Sequence, residues 1–144
     1  MDHGRSVMKA VVDTNVIAYF LLGTAPFATE SRRFLASVSN ILAPALWEAE
    51  MANVVWMAIR AGVLPASEGP NRLTLAASLG IESVPTRSLL QGALLRSVTS
   101  GVAVYDTLFV ELARREACPL ATFDRAVLKA FPEIAARPGS LVPD

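Results

Sequence analysis

The chain has 144 residues, with 13 basic and 13 acidic side chains and therefore no net charge at pH 7. This length predicts one domain spanning residues 1–144, which can bury a core without disulfides or a structural metal. Hydrophobic residues make up 53% of the chain, so either the core is large or some apolar surface meets a partner. The neutral charge lacks the basic signature of a tight nucleic-acid binder. A neutral net charge neither excludes nor supports an enzyme that binds RNA transiently.

No segment predicts a membrane or secretory role. No apolar run approaches the roughly 18 residues needed to cross a bilayer. Residues 1–7 are polar, lack the apolar core of a signal peptide, and are expected to form a flexible leader. Cys118 is the only cysteine, which excludes an internal disulfide and fits a reducing compartment. We therefore expect a cytoplasmic protein without membrane contact.

Strands and helices are predicted to alternate along the chain. In chain order, the pattern predicts a strand at 9–13, helices at 14–22 and 27–38, a strand at 40–43, helices at 44–62 and 65–79, a strand at 80–84, helices at 86–100 and 105–116, a strand at 119–122 and a helix at 124–131. Pro44 suits the first position of its helix, and a last edge strand is expected near Leu141. Strands separated by helices predict an α/β fold with a mainly parallel sheet and helices on both faces.

Acidic residues follow two of the predicted strands directly. Asp13 comes after Val11 and Val12, and Asp124 comes after the strand that ends at Thr122. In parallel α/β sheets, ligands bind beyond the carboxyl ends of the strands. Each aspartate could instead be a helix N-cap that accepts free backbone amides, and local sequence does not decide between the two interpretations.

Asp106 is predicted to lie on or beside the buried face of its helix. Its neighbours three, four and seven residues further on are apolar, namely Phe109, Val110 and Ala113. The polar stripe of the same helix is expected at Thr107, Glu111 and Arg114. An isolated buried carboxylate is costly unless it is paired or bound to a metal. A role at the helix start is the alternative.

The helix predicted at 44–62 carries two further acids, Glu48 and Glu50. At about 100° per residue, both are expected among large apolar side chains, with the polar side near Asn53 and Arg60. Helical geometry alone does not choose between the two glutamates.

Carboxylates that meet in one cleft would repel each other, and a hard divalent cation would relieve that repulsion. Mg²⁺ and Mn²⁺ prefer carboxylate oxygen ligands. Zinc is not expected, because His3 is the only histidine and Cys118 the only cysteine. The acidic residues therefore predict a site for Mg²⁺ or Mn²⁺.

Four blocks of sequence resemble the PIN-domain ribonucleases, and in particular the VapC-like toxins of bacterial toxin–antitoxin pairs. The resemblance runs from about Met8 to Phe131. Its blocks are Val-Val-Asp13-Thr14-Asn15-Val-Ile-Ala, Pro44-Ala-Leu-Trp47-Glu-Ala-Glu50-Met-Ala-Asn53, Val102-Ala-Val-Tyr105-Asp106-Thr-Leu-Phe and Pro119-Leu-Ala-Thr122-Phe-Asp124-Arg. Arg96 and Ser97 depart from the family pattern, since many relatives are more apolar or smaller at those positions. The segment before Met8 is extra to the usual start.

The resemblance implies a choice of site residues. In the family pattern the catalytic glutamate stands three residues before an asparagine, so Glu50 fits, with Asn53, and Glu48 does not. Carried over by position, the catalytic and metal-binding residues are Asp13, Glu50, Asp106 and Asp124. The resemblance also implies supporting roles for Asn15 and Thr122. The implied fold is a three-layer α/β/α sandwich around a parallel sheet of about five strands.

The resemblance further implies a divalent-metal-dependent endoribonuclease, acting as the toxin of a toxin–antitoxin pair. Hydrolysis by a metal-activated water would leave a 5′-phosphate and a 3′-hydroxyl. The implied partners are an RNA substrate, a small antitoxin protein and a second copy of the chain. The antitoxin is expected on apolar surface of the helices at 14–22 and 44–62, including Trp47 and Trp56, although both tryptophans could be core residues.

Two other functions compete with this interpretation. A phosphatase could use Asp13 as its nucleophile, but such enzymes need a second aspartate two residues later, where this chain has Asn15. A non-catalytic binding module could keep the fold, and lost acidic residues would mark it.

Overall fold

Five parallel strands form one sheet in the computed structural model, which describes residues 8–143; the predicted flexible leader lies outside them. The sheet order is β3-β2-β1-β4-β5, and every neighbouring pair is parallel. The strands are β1 (Lys9–Val12), β2 (Asn40–Pro44), β3 (Glu82–Val84), β4 (Leu120–Ala121) and β5 (Ala135–Ala136).

Helices connect the strands and cover the sheet. They are α1 (Thr14–Leu22), α2 (Phe27–Ser37), α3 (Leu46–Arg60), α4 (Gly69–Ala77), α5 (Leu90–Ser100), α6 (Val104–Arg115), α7 (Arg125–Ala130) and α8 (Pro138–Leu141). Short 3-10 turns at Ala66–Glu68 and Thr86–Leu89 precede α4 and α5. Residues of both faces are buried along β1, β2 and β4, as expected of a parallel sheet packed on both sides. The predicted α/β fold is confirmed.

The first strand of the chain lies in the middle of the sheet. Val11 pairs with Leu42 of β2 on one side and with Leu120 of β4 on the other. Val11 and Val12 are completely buried, which explains why this strand is a continuous apolar run without alternation. The residue that follows it, Asp13, is therefore held at the centre of the carboxyl-end edge.

Two predicted boundaries are wrong. Pro44 does not begin a helix: it is the last residue of β2, paired with Val84, and α3 begins at Leu46. The backbone N–H of Ala45 bonds to the Val84 carbonyl at 2.7 Å, so this side of the ladder needs no N–H from Pro44. The last edge strand lies at Ala135–Ala136, whereas Leu141 ends the short helix α8.

Two of the three residues of the polar stripe predicted for α6 are buried. Thr107 and Glu111 are inaccessible or nearly so, because they face polar groups of α5. The Thr107 hydroxyl donates to the Ala93 carbonyl at 2.9 Å, and the Glu111 carboxylate accepts hydrogen bonds from Arg96 and Arg115, both at 2.8 Å. Burial alone would raise the pKa of Glu111, but the two guanidinium groups outweigh it and lower that pKa.

A glycine is required where α5 and α6 pack most closely. A Cβ atom on Gly92 of α5 would lie less than 3.0 Å from all three carboxyl atoms of Glu111. The absence of a side chain at residue 92 lets the carboxylate lie against the α5 backbone between its two arginines.

The apolar surface differs from the predicted one. Trp47 is 5% exposed and its indole N–H donates to the Ser83 hydroxyl at 2.8 Å, so it belongs to the core. Trp56 is 52% exposed. None of the large exposed hydrophobic side chains among residues 8–143 belongs to α1, which was predicted to offer apolar surface. The stripe with most such residues lies on α5 instead.

Among residues 8–143, no single helix is long and apolar enough to cross a membrane. The segments Thr86–Ser100 and Val104–Arg115 meet the length and composition criteria only together, and they are bent by 114° relative to each other.

We predict that the sign of the Gly92→Ala effect depends on Glu111. In the otherwise unchanged protein, the added methyl displaces a buried ion-paired carboxylate and should lower the free energy of unfolding by about 1–3 kcal/mol. In a Glu111→Ala background the clash is gone, and the same change should stabilise by about 0.5–1 kcal/mol, because alanine is the better helix former. Urea unfolding of the four proteins measures this, and equal effects in both backgrounds would contradict it.

Candidate active site

All four predicted catalytic acids line one cleft at the carboxyl-end edge of the sheet. The cleft has a volume of about 440 Å³. Its acids come from four different places: the end of β1, the second turn of α3, the first turn of α6 and the start of α7. The lining residues are Asp13, Thr14, Asn15, Ala18, Tyr19, Leu22, Thr24, Glu50, Asn53, Val54, Asp106 and Asp124.

Asp13 does not act as a simple helix cap. It stands at the N-cap position of α1, yet its side chain makes no capping hydrogen bond. Its Oδ2 accepts a hydrogen bond from Thr122 Oγ1 at 2.8 Å and a long one from Asn15 Nδ2 at 3.5 Å. Asp13 is 7% exposed, so one carboxylate oxygen is anchored to the fold.

A small polar network ties the ends of β1 and β4 together. The completely buried Thr122 hydroxyl donates to Asp13 and accepts from the backbone N–H of Asp124 at 3.0 Å. Asn15 lies 3.4 Å from the same hydroxyl, and its Oδ1 accepts from the N–H of Phe123 at 3.3 Å. Asn15 and Thr122 thus contact the acids as the resemblance implies; their supporting role in catalysis stays a prediction.

The two glutamates of α3 occupy different environments. Glu50 lies in the cleft, where its Oε1 accepts a hydrogen bond from Thr14 Oγ1 at 2.7 Å. Glu48 is exposed in the first turn of the helix and lies outside the cleft, beside a separate hollow lined by apolar residues such as Trp47 and Met51. Thr14 was not singled out by sequence reasoning; its only signal was its place between Asp13 and Asn15.

Asp106 and Asp124 approach the cleft differently. Asp106 is half-buried in the first turn of α6, and no hydrogen bond joins its carboxylate to another residue of 8–143. Asp124 is a true N-cap, because its Oδ1 accepts from the N–H groups of Ala126 and Val127 at 2.9 and 3.1 Å. The capping interpretation is therefore confirmed for Asp124, which also lines the cleft.

Burial and mutual repulsion raise the pKa of three of these acids. Burial raises the pKa of Asp13 to about 7, with further contributions from Asp106 and Glu50, although the Thr122 hydrogen bond opposes the shift. Burial and the charge of Asp106 raise the pKa of Glu50, and burial and the charge of Asp124 raise that of Asp106. No basic side chain of the described residues lines the cleft.

The donor set suits a hard cation, but no ready-made metal centre exists among residues 8–143. No three acidic, histidine or cysteine side chains there are grouped closely enough to hold an ion. Mg²⁺ commonly binds through only one or two carboxylates, keeping several waters and taking substrate phosphate oxygens as further ligands. The cleft fits that mode of binding, with oxygen donors on several walls.

The matching family model is that of the PIN domain, which covers residues 10–134. This stretch is most of the chain and contains all four acids, so the chain belongs to the PIN domain family.

Named relatives agree with this assignment. The chain is 28% identical over 131 residues to Ribonuclease VapC3 of Pyrobaculum aerophilum, a match that covers 88% of this chain and 98% of the relative. It also resembles the crystal structure of FitAcB from Neisseria gonorrhoeae, with a TM-score of 0.61 and 18% identity, over 92% of this chain and 99% of that one. The resemblance to VapC-like PIN domains is confirmed, and the structural match shows the fold.

We predict that metal-free protein loses stability as the pH rises from about 4 to about 7. The pKa of Asp13 is about 7 in the folded state and about 3.9 in an unfolded chain. Between these values the folded state holds a proton that the unfolded state releases, so unfolding becomes easier as the pH rises.

Asp13→Asn removes this charge and should raise the Tm above pH 7 by at least a few degrees, corresponding to about 1 kcal/mol. Below pH 4 it should have little effect. Thermal unfolding in chelator at several pH values measures both, with the exposed Glu48→Gln as the control. A constant difference between Asp13→Asn and the unchanged protein at every pH would contradict the prediction.

Proposed function

We propose that this chain is a divalent-metal-dependent endoribonuclease and the toxin of a toxin–antitoxin pair. The observation that carries the proposal is the convergence of four carboxylates on one cleft. Among the residues that the structure describes, no basic side chain lines this cleft. Membership of the PIN domain family and the similarity to Ribonuclease VapC3 support RNA as the substrate. We propose that it acts in the cytoplasm.

Asp13 and Asp106 are our first choices for direct ligands of Mg²⁺ or Mn²⁺. Glu50 would bind the ion directly or through water, and Asp124 would hold a second ion or an outer water. A bound divalent cation supplies Lewis acidity, lowering the pKa of water and neutralising charge on the phosphate. The raised carboxylate pKa values support this assignment, because repelling, partly buried acids gain most from a cation.

The chain's own polar groups orient these carboxylates. Thr122 occupies Oδ2 of Asp13, Thr14 occupies Oε1 of Glu50, and two backbone amides occupy Oδ1 of Asp124. Asp13, Glu50 and Asp124 therefore each have one oxygen committed to the fold, and we propose that their other oxygens and the carboxylate of Asp106 serve the substrate and its cation. Such anchoring limits the reorganisation needed when the reacting phosphate arrives.

The apolar wall of the cleft supports an unpaired nucleotide as the bound group. Tyr19 lines the cleft and stacks on Phe27, with ring centroids 4.7 Å apart. Phe123 meets both rings edge-on or tilted, at 5.3 and 5.0 Å. Single-stranded RNA is commonly bound by stacking bases on aromatic side chains. Of these three rings only Tyr19 lines the cleft, and the other two hold it in place.

The competing functions fit the cleft less well. In a phosphatase that uses Asp13, the acid–base position would be Asn15, whose amide is engaged with Asp13, Thr122 and the Phe123 backbone. A non-catalytic module has no need to keep four mutually repelling acids, and none is missing here.

We propose a small antitoxin as the protein partner. The cleft is acidic, and none of the described residues that line it has a basic side chain. Such a cleft is electrostatically complementary to a basic side chain of a partner. Trp56 and Met57 on α3 are 52% and 55% exposed, and this helix also carries Glu50 of the cleft. A partner segment that covers the exposed part of α3 could therefore reach the acids.

The first functional prediction concerns removal of the metal ion and of the carboxylates proposed to bind it. RNA should be cleaved with Mn²⁺ or Mg²⁺ and remain intact with chelator, and the products should carry 5′-phosphate and 3′-hydroxyl ends. Asp13→Asn and Asp106→Asn should each slow cleavage by about 100-fold or more, since losing a mere hydrogen-bond partner of a metal ligand already costs 10–100-fold. Gel assays with end-group analysis measure this. Products ending in 2′,3′-cyclic phosphate would overturn the mechanism.

A second functional prediction compares the two glutamates of α3. Glu50→Gln should lower the rate of RNA cleavage by at least about 10-fold, because it removes a charge from the cleft. Glu48→Gln makes the same chemical change two residues away on the exposed side and should leave the rate unchanged. Steady-state cleavage rates and circular dichroism on both variants test it. Equal cleavage rates for both variants would show that Glu50 takes no part in the reaction.

A further inference from the structure

A second depression of the surface has the opposite charge to the cleft. Its volume is about 540 Å³, and its lining comes from α2, from α8 and from the N-cap position before each helix. The charged residues of the lining are Glu30, Arg33 and Arg137, so its net charge is positive. We call this depression the arginine hollow.

Three aromatic rings connect the cleft to the arginine hollow. Tyr19 lines the cleft and stacks on Phe27. The guanidinium carbon of Arg137 lies over the rings of Phe27 and Phe123, 5.8 and 4.9 Å from their centroids. Phe123 also precedes Asp124 of the cleft in the chain. The arginine hollow is therefore separated from the acids by one layer of aromatic side chains.

Glu30 fixes the orientation of Arg137. Arg137 Nη2 donates to Glu30 Oε1 at 2.5 Å, and Arg137 Nε donates to Oε2 at 3.3 Å. The backbone N–H of Gly139 donates to the same Oε2 at 2.8 Å, so both oxygens of the carboxylate are occupied. A guanidinium has five N–H donors, and those of Nη1 bond to no residue of 8–143. The Arg137 side chain is 50% exposed, which leaves these donors for a ligand.

Arg33 adds a second cationic group to the arginine hollow. It is exposed and stands three residues after Glu30 on the same face of α2. Arg33 forms no ion pair with any residue that the structure describes. Thr29, on the same helix face, adds a hydroxyl to the lining. Two guanidinium groups and a hydroxyl are donors that suit the oxygens of a phosphate group.

We infer that the arginine hollow binds a backbone phosphate of the RNA strand that enters the cleft, an inference that rests on the proposed function. The acids of the cleft repel RNA, and neutralisation of phosphates by nearby cations supplies most of the affinity of proteins for nucleic acids. Arg33 and Arg137 are then positioning residues. They hold the strand at a phosphate that does not react, and they read no base sequence.

The spacing of the two depressions suits one continuous strand. The step from Tyr19 to Phe27 is 4.7 Å, and that from Phe27 to Arg137 is 5.8 Å. Successive charges on one strand of stacked nucleic acid are about 3.4 Å apart along its axis, so the arginine hollow lies within a few nucleotides of the acids. A base between the two phosphates would meet Tyr19, the ring that lines the cleft.

An acidic protein segment is the competing ligand, because carboxylates also pair with arginine. Such a segment needs no aromatic surface beside the arginines. If it continued past the rings, it would meet the four acids of the cleft. The rings and the cleft together therefore favour an RNA strand, whose bases stack on aromatic side chains.

Fluorescence anisotropy of a labelled oligouridylate, measured in chelator so that the RNA stays intact, tests the inference. Arg33→Gln should weaken binding by about 3-fold. It should also reduce the slope of log K against log salt concentration by about 0.7, the value for one lost phosphate contact on a single strand. Arg32→Gln is the matched control, because Arg32 is exposed on α2 but does not line the arginine hollow. This variant should keep the affinity and the slope of the unchanged protein.

A paired substitution separates a phosphate contact from an effect of net charge. Glu30→Gln/Arg137→Gln removes one charge of each sign, so the net charge of the arginine hollow is unchanged. Affinity for the oligouridylate should still fall by about 10-fold, because the phosphate loses its charged hydrogen bonds to Arg137. Circular dichroism and thermal unfolding show whether this variant keeps its fold, and Arg33→Gln tests the hollow without touching the ion pair.

Cleavage of the same RNA with Mn²⁺ is measured separately. Loss of affinity in Arg33→Gln without any cleavage by the unchanged protein would contradict the proposed function alone. Cleavage by a protein whose affinity is the same with Arg33→Gln would overturn this inference alone. Equal losses for Arg32→Gln and Arg33→Gln would overturn it too, as would polyglutamate binding that depends equally on Arg33.

Discussion

The hydrogen bond from Thr122 to Asp13 is the contact on which the cleft depends. It joins residues 109 positions apart in the chain and crosses from the end of β4 to the end of β1. Through the same hydroxyl it also orients the backbone of Asp124. Without such neutral donors, buried carboxylates at neighbouring strand ends would move apart or take up protons. The fold brings the acids close, two threonines and an asparagine hold Asp13 and Glu50, and backbone amides hold Asp124.

The cleft combines opposing demands on its acids. Burial and proximity make the charged forms unfavourable, as the raised pKa values of Asp13, Glu50 and Asp106 show. A site of this kind is destabilised while its charges are uncompensated, and it gains most from a positively charged occupant. A cation and a basic side chain of a partner protein would both satisfy it.

Much of the fold could be predicted because its signals are local. Buried runs, glycines and prolines mark the alternation of strands and helices, and the carboxyl ends of parallel strands were the right place to search for the acidic cleft. Two of the errors share one cause, which is a partner from elsewhere in the chain. Thr107 and Glu111 are buried because α5 supplies matching polar groups, and α3 begins after Pro44 because the ladder with Val84 extends β2. Periodicity cannot detect such partners, nor could it separate Glu50 from Glu48.

The central place of β1 has a consequence for biosynthesis. The first strand to leave the ribosome cannot be paired on both sides until β4 has been made, because Val11 pairs with both Leu42 and Leu120. The anchor of Asp13 and the start of α7 lie close to this late segment. A growing chain thus carries Asp13 without the surroundings that complete the cleft until Thr122 has been made. Any activity of the cleft is therefore delayed until this late segment has been made and folded. A partner protein that inhibits the cleft is not needed before then.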